Sequence, residues 1–258
     1  MAEIPKSHPR YESLLMREKV IEGYKKGIVA LAGLIAHGRG EAFDYIIGEK
    51  TREFAVKAIE AGVAMMLLGQ RAVVSVNGNT AVLVPESLVE YSKLTGIPLE
   101  VNLFYRTRER EEAIYRWLKD HGAPEVLGVY DKTVTLEGLE SWRRIVSVKG
   151  IYSADVVLVP LEDGDRTEAL KRAGKKVVAI DLNPFSRTSQ YADITIVDNI
   201  CRAFPLLVDY TKKLMNKPRQ YLKEIVNNYD NKETLSEAIT FIRDRLTSLS
   251  YSLGVFEH

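Results

Sequence analysis

One cysteine, Cys201, is too few for an internal disulfide, so packing alone has to hold the fold. A lone thiol also fits a reducing, cytoplasmic setting. No apolar run approaches the roughly 20 residues of a membrane-spanning helix. The longest, AGVAMMLLG at 61–69, suits a buried helix end instead. The stretch MAEIPKSHPRYE lacks the basic-then-apolar pattern of a signal peptide. Neither sign of charge dominates: the net charge is +1, so no long-range field draws the chain to nucleic acid or to a membrane surface. Any anionic ligand has to be held by local arginines. Familiar nucleotide signatures are missing as well. Without a G-x-x-x-x-G-K-[ST] loop or a G-x-G-x-x-G turn after a strand, neither a Walker nucleotidase nor an ordinary NAD-binding enzyme is indicated. No G-x-S-x-G elbow occurs. His8, His37 and His121 show no metal-ligand spacing and Cys201 has no C-x-x-C partner, so no metal cage is expected. Cys201 reads either as a catalytic thiol or as a small hydrophobe at a helix start.

What is present is an ordinary globular composition, 46% hydrophobic and 28% charged over 258 residues, enough for one large α/β domain. The single domain, 1–258, divides by pattern into a helical region (1–70), a sheet core (71–206) and a helical tail (207–258). In the first region Leu14, Leu15, Val20, Ile21, Tyr24, Ile28, Leu31 and Ile35 recur at mostly three- and four-residue spacing. That predicts a helix over 11–36, interrupted afterwards by HGRGE at 37–41, and a second helix over about 49–68. From residue 72 the period changes. VVSV, LEVNLF, EVLGVY, VVLV, VVAI and ITIV are short β-branched runs, mostly separated by helical segments. Near-continuous apolar strands alternating with helices argue for a Rossmann-like, doubly wound, mainly parallel sheet covered on both faces. After Leu206 the pattern returns to helix, with a boundary at Pro218. Stretch 235–253 carries apolar residues suited to a dimer interface.

In such sheets ligands bind beyond the carboxyl ends of the strands. Four polar loops share that rim: NGNT (77–80), EDGDRT (162–167), DLNPFSRT (181–188) and DNICR (198–202). NGNT reads either as a tight turn or as an anion-binding nest. EDGDRT reads either as a helix cap or as part of a site. DLNPFSRT is harder to explain as a connector, because Pro184 stiffens it while Asn183, Arg187 and Thr188 supply donors. Arg17 reads as a solvated helix-face residue. Arg39, between Gly38 and Gly40, reads as a flexible corner that brings a guanidinium close to phosphate.

The segments IPKSHPRYESLLMRE, VNGNTAVLVPE, EVNLFYRT, EDGDRTEALKRAGK, AIDLNPFSRTS and ADITIVDNICRAFP, in this order, resemble archaeal phosphopantothenate synthetase. That family is the 4-phosphopantoate–β-alanine ligase of archaeal coenzyme A biosynthesis, and the resemblance covers essentially the whole chain. It implies a cytoplasmic homodimer that joins 4-phosphopantoate to β-alanine through an acyl-adenylate, converting ATP to AMP and diphosphate. The ATP contacts it implies are Arg17, Arg39, Asp181, Leu182, Asn183, Arg187, Thr188, Asn199 and Ile200. For Arg17 it replaces the solvated-face reading.

Adenylate formation needs no protein nucleophile; it needs two mutually repelling anions held together. Arg17 and Arg39 are the expected stabilisers of charge in that transition state. Charged hydrogen bonds, worth about 1.5–3 kcal/mol, outweigh helix dipoles at roughly 0.3–1 kcal/mol. Asn183 and Asn199, with backbone groups of Leu182 and Ile200, suit adenine and ribose. Mg²⁺ is expected on the phosphates, held mostly by their oxygens and water. Rim position alone assigns 4-phosphopantoate to Asn77, Gly78, Asn79, Thr80, Asp165 and Arg166. From another class, a non-catalytic module sensing ATP or AMP would use the same loops, but it needs no second-substrate site.

Overall fold

The computed structural model describes residues 4–161 and 164–253. The chain opens with α1 (Tyr11–Lys25), α2 (Leu31–Ile47) and α3 (Glu53–Leu68). The helix expected over 11–36 is therefore two helices. Gly27 takes a left-handed φ of 70° and closes α1, which swings Ile28 and Val29 into the core. HGRGE, conversely, does not interrupt anything. Gly38 and Gly40 lie within α2, which runs on to a left-handed cap at Gly48. Isolated glycines cost a helix only about 1 kcal/mol each, and no proline accompanies them. Arg39 is thus held on a helix, not on a flexible corner.

The core follows as β1 (Ala72–Val76), α4 (Gly78–Leu83), α5 (Pro85–Thr95), β2 (Leu99–Val101), α6 (Arg108–Asp120) and β3 (Val126–Leu127). A hairpin of β4 (Thr133–Thr135) and β5 (Ile145–Ser147) comes next, and nothing in the sequence reading anticipated it. The second half runs β6 (Val156–Val159), α7 (Gly164–Arg172), β7 (Lys176–Ile180), α8 (Arg187–Tyr191) and β8 (Ile194–Ile196). The chain then ends in helices α9 (Ile200–Leu214), α10 (Arg219–Asn227) and α11 (Asn231–Ser252). All six apolar runs fall in one parallel sheet of order β3-β2-β1-β6-β7-β8.

Alternate residues of these strands serve two cores, which is why the runs are apolar throughout. Val74, Val76, Leu158, Val178, Ile180 and Ile196 face the larger core, with α3, α5 and α9. Val73, Val157, Val159, Val177 and Ala179 face a smaller one that includes Leu170 of α7 and Ile151. Helix α3 lies against β6, β7 and β8 on one side and against α9, α10 and α11 on the other. The absence of a side chain at Gly62 suits this approach, since a Cβ there would sit 3.0 Å from Val178.

The strand order reverses between β1 and β6. Connections leave these neighbours in opposite directions, and that divergence opens a crevice at their carboxyl ends. Helices α1 and α2 close over it.

Candidate active site

A cavity of about 370 Å³ fills this crevice, within the range of small-ligand pockets. Its floor consists of strand ends: Asn77–Asn79 after β1, Leu103–Tyr105 after β2, Leu161 after β6, Ile180–Asn183 after β7 and Asp198–Ile200 after β8. Its roof comes from α1 through Ser13 and Met16, and from α2 through His37, Arg39, Gly40 and Glu41. Arg110 and Arg143 also line it.

The loop after β7 is built around a carboxylate. Asp181 is buried; its Oδ1 accepts the Asn183 N–H at 2.9 Å, and its Oδ2 accepts the Ser186 hydroxyl and, at 3.3 Å, that of Ser189. Asn183 Oδ1 in turn accepts the Phe185 N–H at 2.9 Å. Such local side-chain-to-backbone bonds fix a loop without secondary structure. Asp181 therefore shapes the wall as much as it presents charge to it.

Beside it, Arg202 bridges two buried carboxylates, Asp44 at 2.5 Å and Asp198 at 2.6 Å. Asp198 also accepts from the Thr51 hydroxyl at 2.6 Å. Burial opposes the Arg202 charge, but these partners prevail and raise its pKa. Asn199 caps α9 by accepting the Cys201 N–H at 2.9 Å, while its Nδ2 donates to Asp44 at 2.7 Å. Its side chain is thus engaged within the protein, and its backbone N–H donates to Asp198 Oδ1 at 2.8 Å, which leaves the Ile200 N–H at the start of α9 as the local donor. Burial pushes the Cys201 thiol up to about 11, in keeping with a small hydrophobe rather than a nucleophile.

In the roof, Arg17 donates to both Glu41 oxygens, at 2.9 and 2.8 Å. This hydrogen bond raises the Arg17 pKa. Burial works to raise that of Glu41, but hydrogen bonds from Arg17, Tyr45 and Arg10 hold it below the usual carboxylate range. Arg17 itself does not line the cavity; it reaches it through Glu41. Burial lowers the pKa of His37, whose Nε2 is enclosed without a hydrogen-bond partner.

Of the residues singled out in the sequence, Arg39, Asn77, Gly78, Asn79, Asp181, Leu182, Asn183, Asn199 and Ile200 come together on this one cavity. The others do not line it. Arg187 is exposed and pairs with Asp165 at 2.6 Å and Glu168 at 2.5 Å, tying α8 to α7. Thr188 is fully buried in α8. Thr80 is buried inside α4, where its backbone N–H meets the Asn77 cap at 2.9 Å, so NGNT is neither an open turn nor an open nest. Asp165 stands at the surface. Arg166 is buried behind the floor, bonded to the Ser75 hydroxyl and to Asn102 Oδ1 at 3.0 Å. A guanidinium committed to the sheet supports the site from beneath. Glu162 and Asp163 of EDGDRT lie outside the described residues; the rest opens α7.

Arg110 and Arg143 escaped the sequence reading. Arg110 sits in the run REREE, indistinguishable by spacing from a solvated helix face, and Arg143 sits in a segment without periodicity. Among the described residues no group of three or more His, Cys, Asp or Glu is placed to hold a metal ion, and no helix is long and apolar enough to cross a membrane.

The family model described as phosphopantothenate/pantothenate synthetase matches residues 54–245. A protein of Thermococcus kodakarensis named 4-phosphopantoate--beta-alanine ligase is 55% identical over 251 residues, covering 97% of this chain and 96% of its own. Proteins of the same name from Methanosarcina mazei and Methanospirillum hungatei are 51% and 43% identical, over 98% and 95% of this chain and 100% and 99% of theirs.

Proposed function

The chain belongs to the phosphopantothenate/pantothenate synthetase family, and from that premise we propose that its cavity condenses 4-phosphopantoate with β-alanine at the expense of ATP, a step of coenzyme A biosynthesis. The observation that carries this reading is the near full-length identity to three ligases of that name. The cavity adds a physical rationale: one enclosed space meets loops from five strand ends, more than a nucleotide alone requires. The sensor alternative is accordingly not favoured.

In this reading ATP lies along the β7 and β8 loops. Leu182, Asn183, Asn199 and Ile200 face adenine and ribose, at 199–200 chiefly through the Ile200 N–H, because the Asn199 side chain and N–H are both engaged. Arg39 on α2 meets the phosphates, and Arg17 acts by fixing Glu41 and the roof. Arg187 and Thr188 hold α8 and so the loop before it. Mg²⁺ enters with the nucleotide. The carboxylates on the cavity wall, Glu41, Asp44, Asp181 and Asp198, already accept bonds from protein donors, so phosphate oxygens and water are its natural ligands. 4-Phosphopantoate occupies the end beside Asn77, Gly78 and Asn79.

Its carboxylate attacks the α-phosphorus, and diphosphate leaves with the bridging electron pair. The β-alanine amine then attacks the acyl carbon and expels AMP. Enclosure by α1 and α2 keeps water from the adenylate, which would otherwise hydrolyse. A cytoplasmic homodimer completes the reading: Leu31 and Ile35 on α2, with Leu246, Leu249 and Leu253 at the end of α11, are large apolar residues left exposed.

The test is isotope exchange. Given 4-phosphopantoate without β-alanine, the enzyme should exchange labelled diphosphate into ATP; adding β-alanine should release AMP and diphosphate in equal amounts. ADP as the sole nucleotide product, with no diphosphate exchange, would establish a γ-phosphoryl mechanism instead.

A further inference from the structure

We propose that His37 is the proton acceptor of the second half-reaction, taking the proton that the β-alanine nitrogen must lose as the amide forms. This role presupposes the ligase reading above, in which the amine has no named base.

Helix α2 meets the cavity with Gly33, Ala36, His37, Gly40 and Asp44, which recur at three- and four-residue spacing along one face. Gly33 lies against the floor after β1: its carbonyl accepts from Asn79 Nδ2 at 2.8 Å, and a Cβ there would run into the same amide. Gly40 lies over the loop after β7, where a Cβ would meet Leu182 at 3.7 Å. His37 stands about one turn from each. It therefore sits between the β1 loop, proposed for 4-phosphopantoate, and the β7 loop, proposed for ATP. The acyl carbon of the adenylate joins those two substrates and falls along the same stretch. Glycine on either side lets the helix approach the floor closely, so that an imidazole between them can reach that carbon.

The ring is not committed to the fold. Its Nε2 is enclosed with no hydrogen-bond partner among the described residues. A histidine kept only for packing would bury that nitrogen at a cost that leucine avoids. Burial lowers the His37 pKa, so the ring is neutral near pH 7 and can accept a proton. Among the charged groups on α1, α2 and the facing loop (Arg17, Arg39, Glu41, Asp44 and Asp181), Glu41 works to raise that pKa and Arg17 to lower it. The carboxylates of the wall are less suited: Glu41, Asp44, Asp181 and Asp198 already accept bonds from protein donors. β-Alanine meets the adenylate as the free amine, having left one ammonium proton to water. Its lone pair forms the C–N bond, and the surplus proton on that nitrogen passes to His37. The bond from the acyl carbon to the phosphate oxygen breaks, with its electron pair going to AMP. His37 then returns the proton to water.

Two assays on wild type and His37→Gln separate the half-reactions: diphosphate–ATP exchange with 4-phosphopantoate alone, and single-turnover amide formation once β-alanine is added. Exchange by wild type secures the parent reading; its absence refutes that reading independently of His37. The variant should retain exchange close to the wild-type rate, while amide formation slows by roughly 10²- to 10⁴-fold. Equal losses in both assays would make His37 a support of the roof, and unimpaired amide formation would remove it from the chemistry. Either outcome overturns the proposal. Should the variant fail to fold, the pH dependence of wild type decides. A base works only when neutral, so amide formation per unit of free amine should fall as pH drops through a pKa below the ordinary 6.5, with no such limb in exchange. A flat profile, or the same limb in exchange, would refute the assignment.

Discussion

Replacing Glu100 with glutamine should flatten part of the pH dependence of stability. Glu100 lies on β2 with no exposed surface; Oε1 accepts the Ser147 N–H at 2.9 Å and Oε2 the Ile151 N–H at 2.6 Å. Burial nevertheless pushes its carboxyl up to about 7, outweighing these two bonds, with nearby Asp131 adding to the rise and Arg166 opposing it. The unfolded chain releases the same proton near 4.5. Because the folded state holds the proton more tightly, the group favours folding fully below the unfolded value. That contribution fades as pH rises and is gone above the folded value. The separation corresponds to roughly 3 kcal/mol at 1.36 kcal/mol per pKa unit, most of it lost between about pH 5 and pH 8. Glutamine does not titrate, but it turns one acceptor into a donor facing a backbone N–H, a pH-independent cost of about 1–3 kcal/mol. Urea unfolding of both proteins at those two pH values isolates the group, because other titrations cancel in the difference. The stability gap should change by roughly 2–3 kcal/mol in favour of the variant as pH rises. An identical gap at both values would refute the argument.

Gly78→Ala should lower stability by about 1–3 kcal/mol, because the added carbon meets a backbone carbonyl that has little room to yield. The KM for 4-phosphopantoate should rise with it because Gly78 lines the cavity where that substrate is proposed to bind, and an unchanged melting temperature would show that the 28–30 segment moves freely. Arg202→Met strands Asp44 and Asp198 without their cation. A loss of about 2–3 kcal/mol is expected in chemical denaturation, toward the low side because Arg202 is partly exposed. Asn183→Ala should raise the ATP KM while changing unfolding free energy by less than about 1 kcal/mol, since a rim residue loses hydrogen bonds without opening a cavity; a wild-type KM would remove Asn183 from the site.

The sheet was legible because its strands are buried on both faces: Val177 and Val178 point into different cores, so neither needs to be polar. The rim followed from the parallel topology, which puts Asn77, Asn183 and Asn199 at the same ends of β1, β7 and β8. The hairpin of β4 and β5 was not legible. Each strand has three residues, too short for any periodicity, and their pairing depends on partners ten to fourteen positions apart. The roof was hidden for another reason. Arg17 and Glu41 meet across 24 positions and two helices, a tertiary fact that no local pattern carries, so only the family resemblance brought Arg17 forward. Gly38 and Gly40 misled because glycine marks a turn only where the chain needs a positive φ, and α2 does not. Arg110 reaches the Ile28 carbonyl over 82 positions, so its place in the cavity is invisible from the run that contains it.

Helix α3 has an implication for the birth of the chain on the ribosome. Its covering helices are encoded far downstream: Arg219 of α10 closes on the Leu68 carbonyl across 151 residues. At a synthesis rate of about 5–20 residues per second, α3 waits roughly 8–30 s for that cover. During the wait a helix rich in Ala, Val, Met and Leu lies open on one side even after the strands beneath it emerge. Nascent chains stalled before α10 should therefore be strong clients of chaperones that bind apolar segments and prone to mutual sticking, whereas release of the completed tail should end both. The helical tail is, on this view, the closing event of biosynthesis, and truncations within it should fail as insoluble protein before they fail as inactive enzyme.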